Sequence, residues 1–325
     1  MVQQAVQGDT VAVLAGYTLF RPPATNYTAF RGSAWSRSQW GSPCRQLLPR
    51  LAAAGTKQTA SSQLCALPSI WKDCSQGIYL DVGTNVGVQL RKLYDPQQFP
   101  GAAVLPIFDR MFGSHRSGVC AIGVEANPHH TQYLQTLNSY FKQRGYQALI
   151  LTEVAASVHS GTASFFLDAD SPVEWGASLT HGEWQKNSKV KAKVRVQLLD
   201  LLAFMTEVVR PILQQEFAAT DRLPPAVMKL DVEGEEYALF PGLLLSGGLC
   251  DLNVLFLEPH REEFRGEGGV NMQISEMEEV FAKMRKANPH CTVKVTDLDD
   301  ESYLDGKAIL LPEVQQLRTS SGDRG

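Results

Sequence analysis

Several charged residues in this chain stand where an apolar run ends, a placement that aims them at whatever lies beyond the end of a buried strand. Asp81 sits near the end of the first run in "YLDVGTNVGVQL" (79–90), Glu125 ends "CAIGVE", Asp231 and Glu233 follow "AVMKL", and Glu258 and His260 follow "NVLFL". Carboxylates so placed can accept ribose hydroxyls, attract an ammonium or sulfonium centre, or take a proton from a hydroxyl nucleophile. In "DVGTNVG" a strand is expected to end at Val82, with Gly83 allowing a tight turn and Gly87 letting the next helix lie close to the strand or to a ligand. Thr84 and Asn85 lie between the glycines, and a helix starting near Asn85 would point free N–H groups and a positive dipole end at the same spot.

The spacing of that turn separates its possible ligands. A phosphate-cradling loop needs Lys and Ser or Thr after its last glycine, where this chain has Val88 and Gln89. A dinucleotide fingerprint would be G-x-G-x-x-G, but residue 85 is Asn and the pattern is D-x-G-x-x-x-G. An acid at Asp81 would repel a pyrophosphate and attract a cationic, amino-acid-bearing cofactor. In "VEANP", Glu125 is placed to accept both hydroxyls of a ribose, with Ala126 and Asn127 following it. The other reading of Glu125 is a helix-start acid beside Asn127, a candidate N-cap.

Asp231 and Glu233, within "DVEGEE", are candidates for catalysis or substrate contact, although acids also favour helix starts for electrostatic reasons alone. His260 is a second candidate base. Asp231, Glu258 and His260 offer ligands for a divalent metal, but sequence spacing does not show whether they converge, so the metal stays open. A long segment, "ADSPVEWGASLTHGEWQKNSK", carries Trp175, His181 and Trp184 and has the length of a lid or substrate wall.

The elements that must position these residues follow from the rest of the chain. With 325 residues, 44% of them hydrophobic and 20% charged, it can bury one large core. The net charge of -4 and pI near 6.0 argue against wholesale nucleic-acid binding. No apolar run is long enough to span a membrane. Six cysteines with no CxxC pair give no zinc spacing or disulfide framework, and are expected to be mostly reduced structural thiols. Between Asp9 and Asp73 there is no acidic residue, a bias that leaves a transit segment open and makes the location cytoplasmic or organellar.

From Gly77 onward, apolar runs alternate with amphipathic segments, the pattern of βαβ units in a parallel sheet. Strands are expected at "GIYLDV", "VCAIGVEA", "ALILTEVAA", "AVMKLDV" and "NVLFLEP", with "TASFFLD" and "VKAKVRVQL" as extra strands. Helices are expected near Val86, His129, Leu198, Glu235 and Ser275, and "CTVKVTDL" with "GKAILLP" as a closing antiparallel pair. The segment "DPQQFPGAAVLPIFDRMFGSHRSG" reads as an insertion.

At "VMKLDVEGEEYALFPGLL" (227–244), with "DVGTNVG", "VEANP", "VQLLDLL" and "LFLEPH" in the same order, the chain resembles the FkbM family of S-adenosylmethionine-dependent methyltransferases. The resemblance covers about 77–312, leaving an N-terminal extension over 1–76 and a tail over 313–325. It implies an α/β fold of the class I methyltransferase, Rossmann-like type: a mostly parallel seven-stranded sheet with helices on both faces and an antiparallel C-terminal edge pair. It also implies methyl transfer from S-adenosyl-L-methionine to an acceptor oxygen; the acceptor is not inherited with the resemblance, and a hydroxyl of a small molecule or glycan is the favoured substrate. By position, Asp81, Gly83 and Gly87 would line the methionine part, Glu125 would hold the ribose, and Ala155 would lie near the adenine. An NAD-linked oxidoreductase and a non-catalytic binding module are the alternatives, the first disfavoured by the missing middle glycine.

Overall fold

The computed structural model describes residues 60–168, 174, 176–179, 193–258, 260, 274–289, 291–296 and 298, together with 12–14 and 17–19. Two short strands, β1 (Ala12–Leu14) and β2 (Tyr17–Leu19), pair antiparallel. The chain continues through α1 (Ala60–Leu64), α2 (Leu67–Ile70), β3 (Ile78–Val82), α3 (Val88–Tyr94), α4 (Leu105–Phe112) and β4 (Cys120–Glu125). It then forms α5 (Thr131–Arg144), β5 (Gln147–Thr152), β6 (Val154–Ser157), β7 (Gly161–Phe166) and β8 (Lys193–Asp200). A helical stretch follows, made of α6 (Leu201–Phe204), a π-helical turn over Met205–Val209 and α7 (Arg210–Thr220). The last elements are β9 (Ala226–Leu230), α8 (Glu236–Ser246), β10 (Val254–Leu257), α9 (Ile274–Ala287) and β11 (Lys294–Thr296).

Six strands form one sheet in the order β11-β10-β9-β3-β4-β5, every pair parallel. Parallel strands joined by helices are covered on both faces, which is why β3 is buried at all five positions and reads as a near-continuous apolar run. One core contains Ile78, Leu80, Val82, Met228 and Leu230; the opposite face packs Tyr79, Ala121, Ile150 and Val227 against α3, α4 and α5. The expected insertion supplies α4, whose Phe108 lies edge-on to Tyr79 at 5.0 Å between ring centroids. All five expected helix starts lie within three residues of observed ones, at α3, α5, α6, α8 and α9.

The expected strand "ALILTEVAA" is two strands in two sheets. Glu153, with φ of 61°, breaks the extended run, so β5 stays in the main sheet while β6 joins a second sheet in the order β6-β8-β7. In that sheet β6 is parallel and β7 antiparallel to β8. The first half of the expected closing pair forms β11, which runs parallel to β10. Its expected partner, "GKAILLP", lies outside the described residues, as do Trp175, His181 and Trp184.

The cysteine expectation is overturned. Cys74 is bonded to Cys120 and Cys250 to Cys291, across sequence separations of 46 and 41, and among the described residues no cysteine is free. Spacing could not show these pairs because the sheet topology brings them together. The first joins the lead into β3 to the first residue of β4; the second joins the turn before β10 to the lead into β11.

Residues 60–76, assigned to the extension by sequence, pack into the main core through Leu64, Leu67, Trp71 and Cys74. The Trp71 ring N–H donates to the Ala121 carbonyl at 3.1 Å. Among the described residues no helix is long and apolar enough to cross a membrane.

Candidate functional site

A cavity of about 190 Å³ opens at the carboxyl ends of β3, β4, β9 and β10, with β6 as a side wall. This is where ligands of open parallel sheets bind. Gly83, Thr84 and Asn85 line it from the turn after β3, Glu125 and Ala126 from β4, and Ala155 from β6. Asp231 and Glu233 line it from the turn after β9, and Glu258 from the end of β10. Asp81, Gly87, Asn127 and His260 are not among its lining residues.

The turn after β3 is held by contacts within the protein. The Thr84 hydroxyl donates to the Asp81 carbonyl at 2.7 Å and accepts from the Val124 N–H at 2.9 Å, which fastens the turn to β4. Asn85 has φ of 50°, and its N–H donates to a Glu125 oxygen at 2.6 Å. Helix α3 begins at Val88, and the Asn85 N–H ahead of it is taken up by Glu125. Gly87 has φ of 77°, and a β-carbon there would meet Leu137 of α5 at 2.4 Å. Its freedom therefore serves helix packing.

Glu125 is held by two backbone donors and also lines the cavity. One carboxylate oxygen accepts from Asn85 and the other from the Asn127 N–H at 2.8 Å, while the side chain remains part of the cavity wall. Asn127 caps the following turn by accepting from the His129 N–H, and its amide donates to Glu174 at 2.7 Å. Glu174, which sequence reasoning did not single out, also lines the cavity.

Asp81 is fully buried, and neither of its carboxylate oxygens has a hydrogen-bond partner. Its Cα partners across the sheet are Lys229 on β9 and Gly123 on β4. Burial, with Asp231 and Glu125 adding to it and Lys229 and Lys92 opposing, pushes its carboxyl up to about 7.

Beyond β9 the groups form a charged cluster. Lys229, itself a lining residue, is hydrogen-bonded to Asp231 and lies 4.0 Å from Glu258. Burial works against its charge, but Asp231, Asp81 and Glu258 outweigh burial and hold the ammonium above the ordinary lysine value. His260 Nε2 is 3.2 Å from Glu233 and 3.8 Å from Asp231, and Nδ1 is 2.8 Å from Glu236. Burial also opposes the imidazolium, yet the hydrogen bonds to Glu233 and Glu236 carry it up to about 11. Carboxylates at both ring nitrogens favour the imidazolium, which in that form has no lone pair to act as a base. The Glu233 carboxyl is raised by burial, against the opposing pull of His260.

Glu235, the third acid of "DVEGEE", lines the cavity and accepts from the Ser157 hydroxyl of β6 at 2.9 Å. Burial lifts its carboxyl to about 7 despite that hydrogen bond. In sequence the acids of this stretch could not be ranked, because which of them faces β6 depends on the turn at Glu233 (φ 53°) and Gly234 (φ 105°). Lys229 did leave a signal: it is the one charged residue inside the apolar run "AVMKL". Glu174 left none, since it stands in a segment without period or motif.

No protein-family model matches the chain, and no curated protein or solved structure does so either.

Proposed function

We propose that this chain is an S-adenosylmethionine-dependent methyltransferase of the class I, FkbM-like type, acting on a hydroxyl of a small molecule or glycan. The observation that carries the reading is convergence. The "DVGTNVG" turn, "VEANP", the β6 segment and "DVEGEE" lie far apart in sequence, and all contribute walls to one cavity at the carboxyl edge of the parallel sheet. The donor set fits the cofactor. The lining carboxylates of Glu125, Asp231 and Glu258 favour a cationic amino-acid group, and Asp81, whose oxygens have no hydrogen-bond partner, lies buried behind that wall. Glu125 at the wall retains acceptor capacity for ribose hydroxyls beyond its two backbone donors.

The bound cofactor supplies an electrophilic methyl group on a sulfonium. The protein must hold an acceptor oxygen in line with that carbon and remove its proton. Four acids, Asp231, Glu233, Glu235 and Glu258, line the cavity beyond β9 and β10. Asp231 is tied to Lys229 and Glu233 to His260, so their charges are already balanced. Glu235 accepts from the neutral Ser157 hydroxyl and has a proton affinity near neutrality, which suits it best to take the acceptor's proton. Asp231 then serves to place the acceptor and to keep Lys229 in position.

The test is methyl-tritium transfer from labelled S-adenosylmethionine to a pool of mono- and oligosaccharides, run beside the same pool with every hydroxyl methylated. Label entering only the free-hydroxyl pool supports the reading. Equal label in both pools would remove the O-methyl assignment.

A further inference from the structure

Asp231, Glu258 and His260 offer ligand atoms that all lie within 4.8 Å of one another. Two carboxylates and an imidazole converging from the ends of adjacent strands are a donor set that a divalent ion could use. In this chain the set already contains cations of its own. The Lys229 ammonium is bonded to Asp231 and stands 4.0 Å from Glu258, between two of the three ligands. The third, His260, is engaged at both ring nitrogens, Nε2 by Glu233 and Nδ1 by Glu236, whereas a metal needs a nitrogen lone pair.

Lys229 is not free to leave. It is anchored on β9 between Cα partners Asp81 and Phe256, its side chain is 12% exposed, and its chain neighbours Met228 and Leu230 are fully buried in the core. Nor is His260 a loose residue: its backbone N–H also donates to Glu236 at 2.9 Å, and the Tyr237 hydroxyl donates to its carbonyl.

We propose that Lys229 is the resident cation of this site, occupying the place between Asp231 and Glu258 that a divalent metal would need, so that acceptor activation there runs without a metal. Lys229 is a positioning residue: it neutralises and aims Asp231 and, lining the cavity, presents an N–H donor where a metal would have presented a Lewis acid. This inference rests on the proposed methyl transfer for its chemical setting, but its test requires neither cofactor nor acceptor. Its failure is therefore distinguishable from failure of that reading.

The experiment is titration of the full chain with Mn²⁺ alone, following free Mn²⁺ by electron paramagnetic resonance. Wild type is expected to leave the free-ion signal undiminished through the millimolar range. Lys229→Met, which keeps the length of the side chain and removes the charge, is expected to gain one Mn²⁺ per chain on the released Asp231 and Glu258, with His260 still held by Glu233 and Glu236, bound at least about tenfold more tightly than by wild type. Stoichiometric Mn²⁺ binding by wild type that is lost in Glu258→Gln would overturn the proposal. So would a folded Lys229→Met that binds no Mn²⁺. Should Lys229→Met fail to fold, the pair Lys229→Met with Glu258→Gln removes one charge of each sign and is expected to fold. A pair as unstable as the single variant would show that Lys229 does not serve as counter-charge there.

Discussion

A β-carbon placed on Gly83 would lie 1.6 Å from the Asp231 carbonyl oxygen. The turn after β3 therefore presses on the backbone of the residue that begins the turn after β9, and the Asp231 N–H in turn donates to the Val82 carbonyl at 3.0 Å. The two walls of the cavity are joined backbone to backbone, and the turn after β9 by itself demands a glycine at this position.

Gly83→Ala is accordingly expected to destabilise the fold itself. The position has φ of 88° and its clash is with backbone, which cannot rotate away. A loss above about 2 kcal/mol by denaturant unfolding is expected. A variant that melts like wild type and lacks only cofactor affinity would assign Gly83 to ligand contact instead.

Glu125→Ala should lose stability as well as affinity. Its carboxylate accepts two backbone N–H groups, from Asn85 and Asn127, and removing it leaves both without that partner. Each is worth about 1–3 kcal/mol when buried and left unpaired. Comparing the melting temperature and S-adenosylhomocysteine affinity of the Ala and Gln variants separates the two roles. An unchanged melting temperature in Glu125→Ala would contradict the structural one.

The dependence of stability on pH should change in Asp81→Asn. Burial raises the Asp81 carboxyl to about 7 from an ordinary 3.8, with Lys229 and Lys92 opposing and Asp231 and Glu125 assisting. The folded chain thus holds this proton more tightly than the unfolded chain. That contribution is complete below pH 4 and is lost as pH rises through 7. Wild type should lose stability relative to Asp81→Asn across that window, by a difference on the order of a few kcal/mol. Parallel curves for the two proteins would show that Asp81 is ionised in the fold throughout.

Reduction should act on the C-terminal half of the site. The Cys250–Cys291 bond encloses β10, Glu258, His260 and α9 in one loop. Replacing both cysteines by serine is expected to cost about 2–4 kcal/mol in the chain-entropy view. Thiol titration of the unfolded, unreduced chain should find neither of these residues nor Cys74 or Cys120 reactive, and reactive thiols there would contradict the pairing.

Much of the sheet was legible because buried parallel strands leave short apolar runs that end in charged or glycine-rich turns, as at Val82, Glu125 and Leu230. The break at Glu153 was not, since a single residue in the left-handed region carries no pattern of its own. The site was legible in its outline: Asp81, Glu125 and Asp231 stand at strand ends that the fold brings together. The proton affinities within it were not. The charge on His260 comes from Glu233 and Glu236, and the proton affinity of Glu235 from burial beside Ser157, all of which depend on how the turn after β9 coils. The disulfides were hidden for the same reason, because contacts across 41 and 46 residues are properties of topology.

Isothermal calorimetry of the wild-type chain with S-adenosylhomocysteine, run beside NAD, tests the cofactor assignment most directly. A methyltransferase site built on Glu125 and the turn after β3 predicts saturable one-to-one binding of S-adenosylhomocysteine, weakened at least about tenfold in Glu125→Ala, and no heat from NAD. Binding of NAD in its place, or of neither molecule, would contradict it.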